Sequence, residues 1–188
     1  MSIISNIRRL IRHYLLNRSI KESARVKRLV GYAEGRHVLV LYDASDNNQL
    51  TAVVNLKKTF QEDGIKADFL GYLPKNFQKP ENANTDERNS LIHRKELSWK
   101  MTPSDGLMQQ LLAGPFDILV DVSRERHFPV KCLAGLANAS FKVGIHHDEY
   151  VNVYDLTLKV NDTYPADELA RQVIHYLKIL KTPATHVK

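Results

Sequence analysis

The stretch HVLVLYDASDNNQLTAVVNL, residues 37–56, predicts a buried strand, a polar loop and a helix in direct succession. Residues 37–42 are largely apolar, which is typical of a strand that is covered on both faces of a sheet. Asn47 or Asn48 can cap the following helix, and Asp63-Gly64 predicts its end near Glu62. Since strands that alternate with helices build parallel sheets, this stretch favours an α/β fold.

The same alternation of strand and helix continues along the chain. Further strands are predicted at residues 65–72, 92–99, 116–122 (FDILVDV), 141–145 and 153–160, and further helices at 103–113, 128–138 and 165–181. Residues 74–90 are polar and predict a long surface loop. We therefore expect one Rossmann-like three-layer α/β domain at residues 32–182, with a mainly parallel sheet of five to six strands. Residues 183–188 are expected to form a flexible tail.

Composition narrows the class of protein. The chain has 188 residues, 43% of them hydrophobic and 26% charged, as expected for a globular domain. No apolar run approaches the roughly 18 residues that a membrane-spanning helix needs. Cys132 is the only cysteine, so neither an internal disulfide nor a cysteine metal cluster can form. We expect a cytoplasmic protein, and peripheral attachment to the inner membrane is the alternative location.

The positive charge is concentrated at the N-terminus. The formal net charge of the chain is +6, but residues 1–30 contain eight Lys or Arg and one Glu and therefore carry +7, which leaves −1 for the other 158 residues. A nucleic-acid footprint on the body of the domain is thus unfavoured. Binding of nucleic acid by the arm is also unfavoured, because Tyr14 is the only aromatic residue before Tyr32 that could stack on a base.

Residues 1–31 predict a basic amphipathic helical arm. The apolar face consists of Ile3, Ile7, Leu10, Ile11 and Tyr14, and Arg8, Arg9 and Arg12 lie off it. Ser19 and Glu22 resemble a capping box, which predicts a second helix to about Val30. Two interpretations of the arm stay open. Its apolar face packs on its own domain or on a second copy in a homodimer, or it binds a protein partner or an anionic membrane surface.

The candidate site follows from the predicted sheet. Ligands of open parallel sheets bind beyond the carboxyl ends of the strands, near the point where the strand order reverses. The candidate binding residues are those just past these ends: Asp43, Asp46, Asp121, Ser123, Arg124, Arg126, His127, His146 and His147.

Several kinds of site do not fit this pattern. The loop YDASDNN has no glycine, so dinucleotide and nucleotide phosphates are not expected on it. Asp43 and Asp46 are not in the Asp-x-Asp spacing of a phosphatase nucleophile, and adjacent His146 and His147 point in opposite directions on an extended chain. Neither a metal nor another cofactor is therefore expected.

The loop SRERH, residues 123–127, is compact and cationic. Arginines beside a helix N-terminus suit a carboxylate or a phosphate, because guanidinium donors and the helix dipole both favour negative charge. The alternative is a solvated basic loop that pairs with Glu125 and nearby acids.

Three segments carry a resemblance to known families: FDILVDVSRERHFPVKCLAGLANASFKVGIHHDEY together with HVLVLYDASD and EDGIKADFLGYL. The order of these segments resembles that of a bacterial family that is typical of Bacteroidota and is catalogued as a domain of unknown function. The resemblance extends from about residue 5 to residue 180. That resemblance implies a cytoplasmic α/β protein and no particular activity. About 30 residues, the FDILVDV strand, the small-residue helix and FKVGI, also resemble the N-terminal half of heptosyltransferase-type glycosyltransferases. Such enzymes need a second domain for the nucleotide sugar, so the resemblance implies the scaffold without the donor site.

Two functions of different classes follow from these patterns. The first is a non-enzymatic binding or adaptor protein whose basic arm docks to its own domain, a partner or a membrane surface. The second is an enzyme or binding protein for a small anionic metabolite at the strand ends. Because no catalytic motif is found, the sequence favours the binding or adaptor protein over the enzyme. It does not decide whether the protein is an enzyme.

Overall fold

A computed structural model describes residues 3–74, 89–99, 101–102, 106, 109, 111, 114–161 and 164–180. The helices are α1 (Ile3–Glu22), α2 (Asn47–Glu62), α3 (Phe128–Leu136) and α4 (Ala166–Ile179). The strands are β1 (His37–Asp43), β2 (Lys66–Leu73), β3 (Asn89–His93), β4 (Phe116–Asp121), β5 (Ala139–Ile145) and β6 (Leu156–Leu158). Short 3-10 turns follow β3 at Arg94–Glu96 and β5 at Asp148–Tyr150.

The six strands form one sheet in the order β3-β2-β1-β4-β5-β6, and every described pair is parallel. Val40 of β1 is in register with Phe69 of β2 on one side and with Val120 of β4 on the other. The strand order reverses between β1 and β4, which places the switch point there. The prediction of a Rossmann-like α/β domain with a mainly parallel sheet is confirmed.

Each face of the sheet is buried under helices. Val38, Val40 and Val120 point to the face covered by α2 and α4, where Phe60 and Leu177 complete the core. The other face carries Leu39, Leu41, Leu119 and their neighbours against α1 and α3. Strand side chains alternate between faces, so an apolar run such as residues 38–42 supplies both cores. Asp43 and Asp121 continue the rows of Leu39-Leu41 and Leu119, and both therefore emerge on the α3 side.

Helix α2 has a clear start and end. Asp46 is its N-cap, and the side chain of Asp46 accepts a hydrogen bond from the backbone N of Asn48 at 2.8 Å. The N-cap of α2 is therefore Asp46, whereas the sequence suggested Asn47 or Asn48. The chain leaves the helix through Gly64, whose φ of 69° lies in the left-handed region that glycine adopts without strain.

The N-terminal arm differs from its prediction. Helix α1 runs without a break to Glu22, and no second helix is formed up to Val30. Glu22 does not serve a capping box but pairs with Arg18 one turn earlier, with 2.8 Å between Nε and Oε1. This i,i+4 pair supports continuation of the helix. No helix of the described residues is long and apolar enough to span a membrane.

Helix α1 also packs with a different face from the predicted one. Leu16 and Ile20 lie against α3 at Gly135, where an added Cβ would come within 2.8 Å of Leu16 Cδ1. His13 stacks on the ring of Tyr150 with centroids 5.1 Å apart. The predicted apolar face, with Ile7, Leu10, Ile11 and Tyr14, points away from the domain and is exposed. Helix α1 therefore docks on its own domain as one interpretation predicted, but through Leu16 and Ile20 and not through the predicted apolar face.

Other predicted elements are shifted or lie outside the described residues. The strand expected at residues 92–99 forms earlier, at Asn89–His93, because the chain turns into the 3-10 segment at Arg94. Strand β6 is shorter than the predicted 153–160. Most of the loop at 74–90, most of the helix at 103–113 and all of the tail at 183–188 lie outside the described residues.

Lys142 is an ionisable side chain in the core of the sheet. It is 1% exposed, and its Nζ donates to the carbonyl oxygen of Gly135 at 2.9 Å. Burial and the nearby Arg25 lower the pKa of Lys142 to about 7, which Asp155 opposes only in part and Lys27 reinforces. The fold therefore favours the neutral amine.

Replacement of Lys142 by Met is expected to flatten the pH dependence of stability. The pKa of Lys142 is about 7 in the folded chain and about 10.4 in an unfolded chain. The unfolded chain therefore binds more protons between these values, and the native protein gains stability as pH rises from 7 to 10. Denaturant unfolding should show a gain of about 1–4 kcal/mol across this interval that Lys142→Met lacks. Lys58→Met, at an exposed position on α2, is the control; identical pH profiles for all three proteins would contradict the assignment.

Candidate functional site

The same three-residue turn follows both strands at the switch point. Asp43-Ala44-Ser45 ends β1, and Asp121-Val122-Ser123 ends β4. In each turn the aspartate Oδ1 accepts a hydrogen bond from the backbone N of the serine at 2.8 Å and another from its hydroxyl. These Asx turns fix both carboxylates at the carboxyl edge of the sheet. The repeated Asp-x-Ser spacing at the two strand ends is visible in the sequence.

Asp121 is held in a buried ionic network. Its Oδ2 accepts a hydrogen bond from Lys131 Nζ at 2.8 Å and another from the hydroxyl of Tyr154. Lys131 Nζ also donates to Ser123 Oγ at 3.1 Å, and the side chains of Asp121 and Lys131 are both 0% exposed. Burial, followed by the charge of Asp121, raises the pKa of Tyr154, so this hydroxyl stays protonated as a donor. Asp121 is thus satisfied entirely by groups of its own chain.

Lys131 is the residue of this network that the sequence analysis missed. It lies in the first turn of α3, in the otherwise apolar run FPVKCLAGL. A lysine is almost never fully buried unless it is paired. A lysine inside an apolar helix that follows an aspartate-terminated strand was therefore the available signal.

The side chain of Asp43, at the end of β1, contacts His127, the N-cap of α3, on the other side of the switch point. Its Oδ2 is 2.8 Å from Nε2 of His127, and the ring of His127 lies on Tyr72 with centroids 5.1 Å apart. Although burial opposes the effect, hydrogen bonds from His127 and Ser45 lower the pKa of Asp43. The backbone N of Asp43 donates to Gln49 Oε1 at 3.1 Å. Asp43 is therefore ionised and, like Asp121, internally satisfied.

The remaining predicted residues lie on or near the rim of this edge. Arg126 is exposed, and the side chain of His127 is 28% exposed. Arg124 is half-buried and donates to the carbonyl oxygen of Asn161 at 3.5 Å. His146 contacts Asp148 at 3.1 Å and Thr157 at 3.3 Å, so it faces β6. Asp46 serves as the cap of α2, as described above.

His147 has an unusual environment. Its Nε2 is buried and has no hydrogen-bond partner among the described residues. Burial lowers the pKa of His147, and the positive charges of Lys131 and Arg126 lower it further. The charges of Lys131 and Arg126, from the β4 end, thus act on His147, which follows β5. Of the nine predicted residues, the structure thus joins Asp43 with His127 and Asp121 with Ser123 directly, and it sets Arg126 and His147 beside them.

The geometry limits the chemistry of this edge. The hydroxyls of Ser45 and Ser123 both donate to carboxylates and not to a histidine, so neither is arranged as a nucleophile with a base. Within the described ranges, no group of three or more His, Cys, Asp or Glu is placed to hold a metal ion. Asp43 and Asp121 are buried, and the exposed charged side chains of the strand-end loops are of both signs: Arg126 is exposed, and so are Glu125, Asp148 and Glu149. Arg126, beside the start of α3, is the group of this edge that suits an anion.

The fold and the edge together define a Rossmann-like α/β protein with a candidate ligand site at the topological switch point of a six-stranded parallel sheet. The chain belongs to the DUF6913 family, a family of unknown function, whose model matches residues 8–180. A comparison with curated proteins gave no match.

Solved structures of a glycosyltransferase are similar in fold. The Escherichia coli heptosyltransferase WaaC with ADP has a TM-score of 0.50 and 14% identity over 79% of this chain and 49% of its own. The same enzyme with ADP-2-deoxy-2-fluoro heptose gives a TM-score of 0.49 and 15% identity over 79% and 50% of the two chains. This chain thus spans about half the length of the structures it matches, and at this identity the likeness concerns the fold.

Removal of one member of the buried ion pair is expected to be costly. Lys131→Met should lower the free energy of unfolding by about 3–5 kcal/mol, because Asp121 would remain charged and buried without its cation. The double variant Asp121→Asn/Lys131→Met should recover part of this loss, since no net charge is then buried. Denaturant titration of the unmutated protein, the single variants Lys131→Met and Asp121→Asn, and the double variant measures both effects. A double variant as unstable as the sum of the two single variants would contradict the pairing.

Proposed function

We propose that this chain binds a small anionic metabolite, bearing a phosphate or a carboxylate, at the carboxyl edge of β1 and β4. One observation carries the proposal: both strand-end carboxylates are buried and internally satisfied, while Arg126 and His127 remain accessible beside them. Neither of these two carboxylates is therefore directed at a ligand on this edge, and the Arg126 guanidinium is exposed beside them.

The position of helix α3 supports the same ligand class. His127 is the N-cap of α3, and its side chain makes no capping hydrogen bond to the helix because Nε2 is engaged with Asp43. Free backbone N–H groups at a helix N-terminus favour anions. Pro129 lacks an N–H, and the backbone N of Lys131 donates to the carbonyl oxygen of His127 at 3.2 Å, so the donors left in this turn are the N–H groups of Phe128 and Val130.

Binding is a better description than catalysis for this edge. His127 and Asp43 form a pair that could transfer a proton, but the described residues place no nucleophile against it. The likeness to a heptosyltransferase concerns the fold, and so we propose a ligand-binding role without a reaction.

An adaptor role is a second candidate, and a separate observation favours it. Helix α1 is attached to the domain by one face and leaves its opposite, apolar face exposed. The two candidates use different surfaces, and a single protein can perform both.

Anions should stabilise the protein through the strand-end edge. We expect inorganic phosphate, glucose 6-phosphate or citrate to raise the melting temperature by about 3–5 °C at ten times the dissociation constant, which corresponds to about 1.4 kcal/mol. Arg126→Gln/His127→Gln should lose most of this shift. Arg36→Gln is the matched control, because Arg36 is exposed at the opposite, amino edge of β1.

Two results would refute this proposal. One is the absence of a shift with all three anions in the unmutated protein. The other is an equal shift in the double variant and in Arg36→Gln, which would indicate a general effect of salt. Isothermal titration with the anion that gives the largest shift provides a direct second readout.

A further inference from the structure

The outward face of α1 is an apolar strip without a partner in the domain. It consists of five side chains, each 42–65% exposed: Ile4, Ile7, Leu10, Ile11 and Tyr14. Their spacing puts them on one side of three helical turns, a length of roughly 16 Å. Scattered surface leucines need no explanation, but a continuous strip of large apolar side chains marks an interaction surface.

The helix is held so that this strip is presented to the outside. On the opposite side, Leu16 is 5% exposed and packs on α3, and His13 lies between Phe128 and Tyr150 with centroid distances of 5.3 and 5.1 Å. Arg12 donates to the carbonyl oxygen of Trp99 at 2.7 and 3.1 Å. The domain therefore fixes the rotation of α1 about its axis, and it fixes the apolar strip facing outward.

Basic side chains lie on one flank of the strip and at its C-terminal end. Arg8 flanks Ile4 and Ile11, while Arg18 and Lys21 continue the row of Ile11 and Tyr14 in the next turns, and all three are exposed. Glu22 is the only acidic residue of α1, and it is paired with Arg18. The surface is therefore apolar along the strip and positive on one flank and at the C-terminal end.

We infer that the outward face of α1 docks on an anionic phospholipid surface, with the helix parallel to the membrane. A helix with an apolar face and basic flanks buries its apolar side chains at the level of the headgroups, and its cations pair with lipid phosphates. This inference names the partner of the adaptor candidate and does not depend on the anion site at the strand ends.

A second copy of the chain is a poorer occupant of the same strip. Five side chains on one helix are far fewer than the 20–30 residues that each partner contributes to a stable interface. Two copies would also bring two basic helices together, and like charges across an interface oppose association. An anionic lipid surface reverses that electrostatic effect.

Flotation of the full chain with vesicles tests the inference. The protein should float with vesicles of phosphatidylglycerol and phosphatidylcholine, and should bind much less to phosphatidylcholine alone or in high salt. Ile7→Ser/Leu10→Ser/Tyr14→Ser should weaken binding more than tenfold. Arg8→Gln/Lys21→Gln should weaken it about thirtyfold, at roughly fivefold per charge. All five positions are exposed, so the variants should fold, and circular dichroism verifies this.

Matched variants separate the strip from general surface properties. Val54→Ser/Ile179→Ser removes two exposed apolar side chains elsewhere, and Lys58→Gln/Lys66→Gln removes two exposed charges elsewhere. Both should bind vesicles as well as the unmutated protein does. The unmutated protein and the α1 variants should also be monomeric by light scattering.

The inference is overturned if the unmutated protein does not float with the anionic vesicles, or if the apolar α1 variant floats equally well. A dimer that dissociates on the same substitutions would identify a second copy as the occupant and would also overturn it. Because the anion-dependent melting shift uses Arg126 and His127, failure of vesicle binding leaves that proposal intact, and the reverse also holds.

Discussion

The structure depends on the internal pairing of two carboxylates at the switch point of the sheet. Asp43 and Asp121 end neighbouring parallel strands, and both emerge on the face that α3 covers. The start of α3 supplies a partner for each: His127 for Asp43 and Lys131 for Asp121. A buried charge without a partner is costly. The ion pair of Lys131 with Asp121 and the hydrogen bond between His127 and Asp43 therefore fix α3 relative to β1 and β4, and α3 in turn provides the surface on which α1 packs.

The same contacts bury both aspartates of this edge inside the protein. Each carboxylate accepts hydrogen bonds within its Asx turn and has a second partner at the start of α3. The exposed charged side chains of the β4–α3 loop are Glu125 and Arg126. The charges counted along the sequence thus differ from those at the surface of the folded edge, because Asp43, Asp121 and Lys131 are buried.

The sequence predicted the class of fold because it follows from local patterns. Apolar runs of strand length, helix caps and Gly64 indicate where elements begin and end, and parallel topology follows from their alternation. Asp43, Asp121, Ser123 and His127 were placed together by one rule about strand ends. The face of α1 that packs was predicted wrongly because amphipathicity shows that an apolar face needs a partner, but not which partner. The domain binds α1 through Leu16 and Ile20, which fit against Gly135, and not through its larger apolar strip.

The sequence by itself determined a parallel α/β domain and the segregation of positive charge in the first 30 residues. Only the tertiary structure decided which side chains pair there, that Lys131 is buried beneath Asp121, and which face of α1 remains exposed. The physical reason is the separation along the chain of the residues that interact. Helix and strand formation depends on residues a few positions apart, whereas the contacts of Asp43 with His127 and of His13 with Tyr150 join residues separated by 84 and 137 positions. Such contacts exist only once the sheet has aligned its strands.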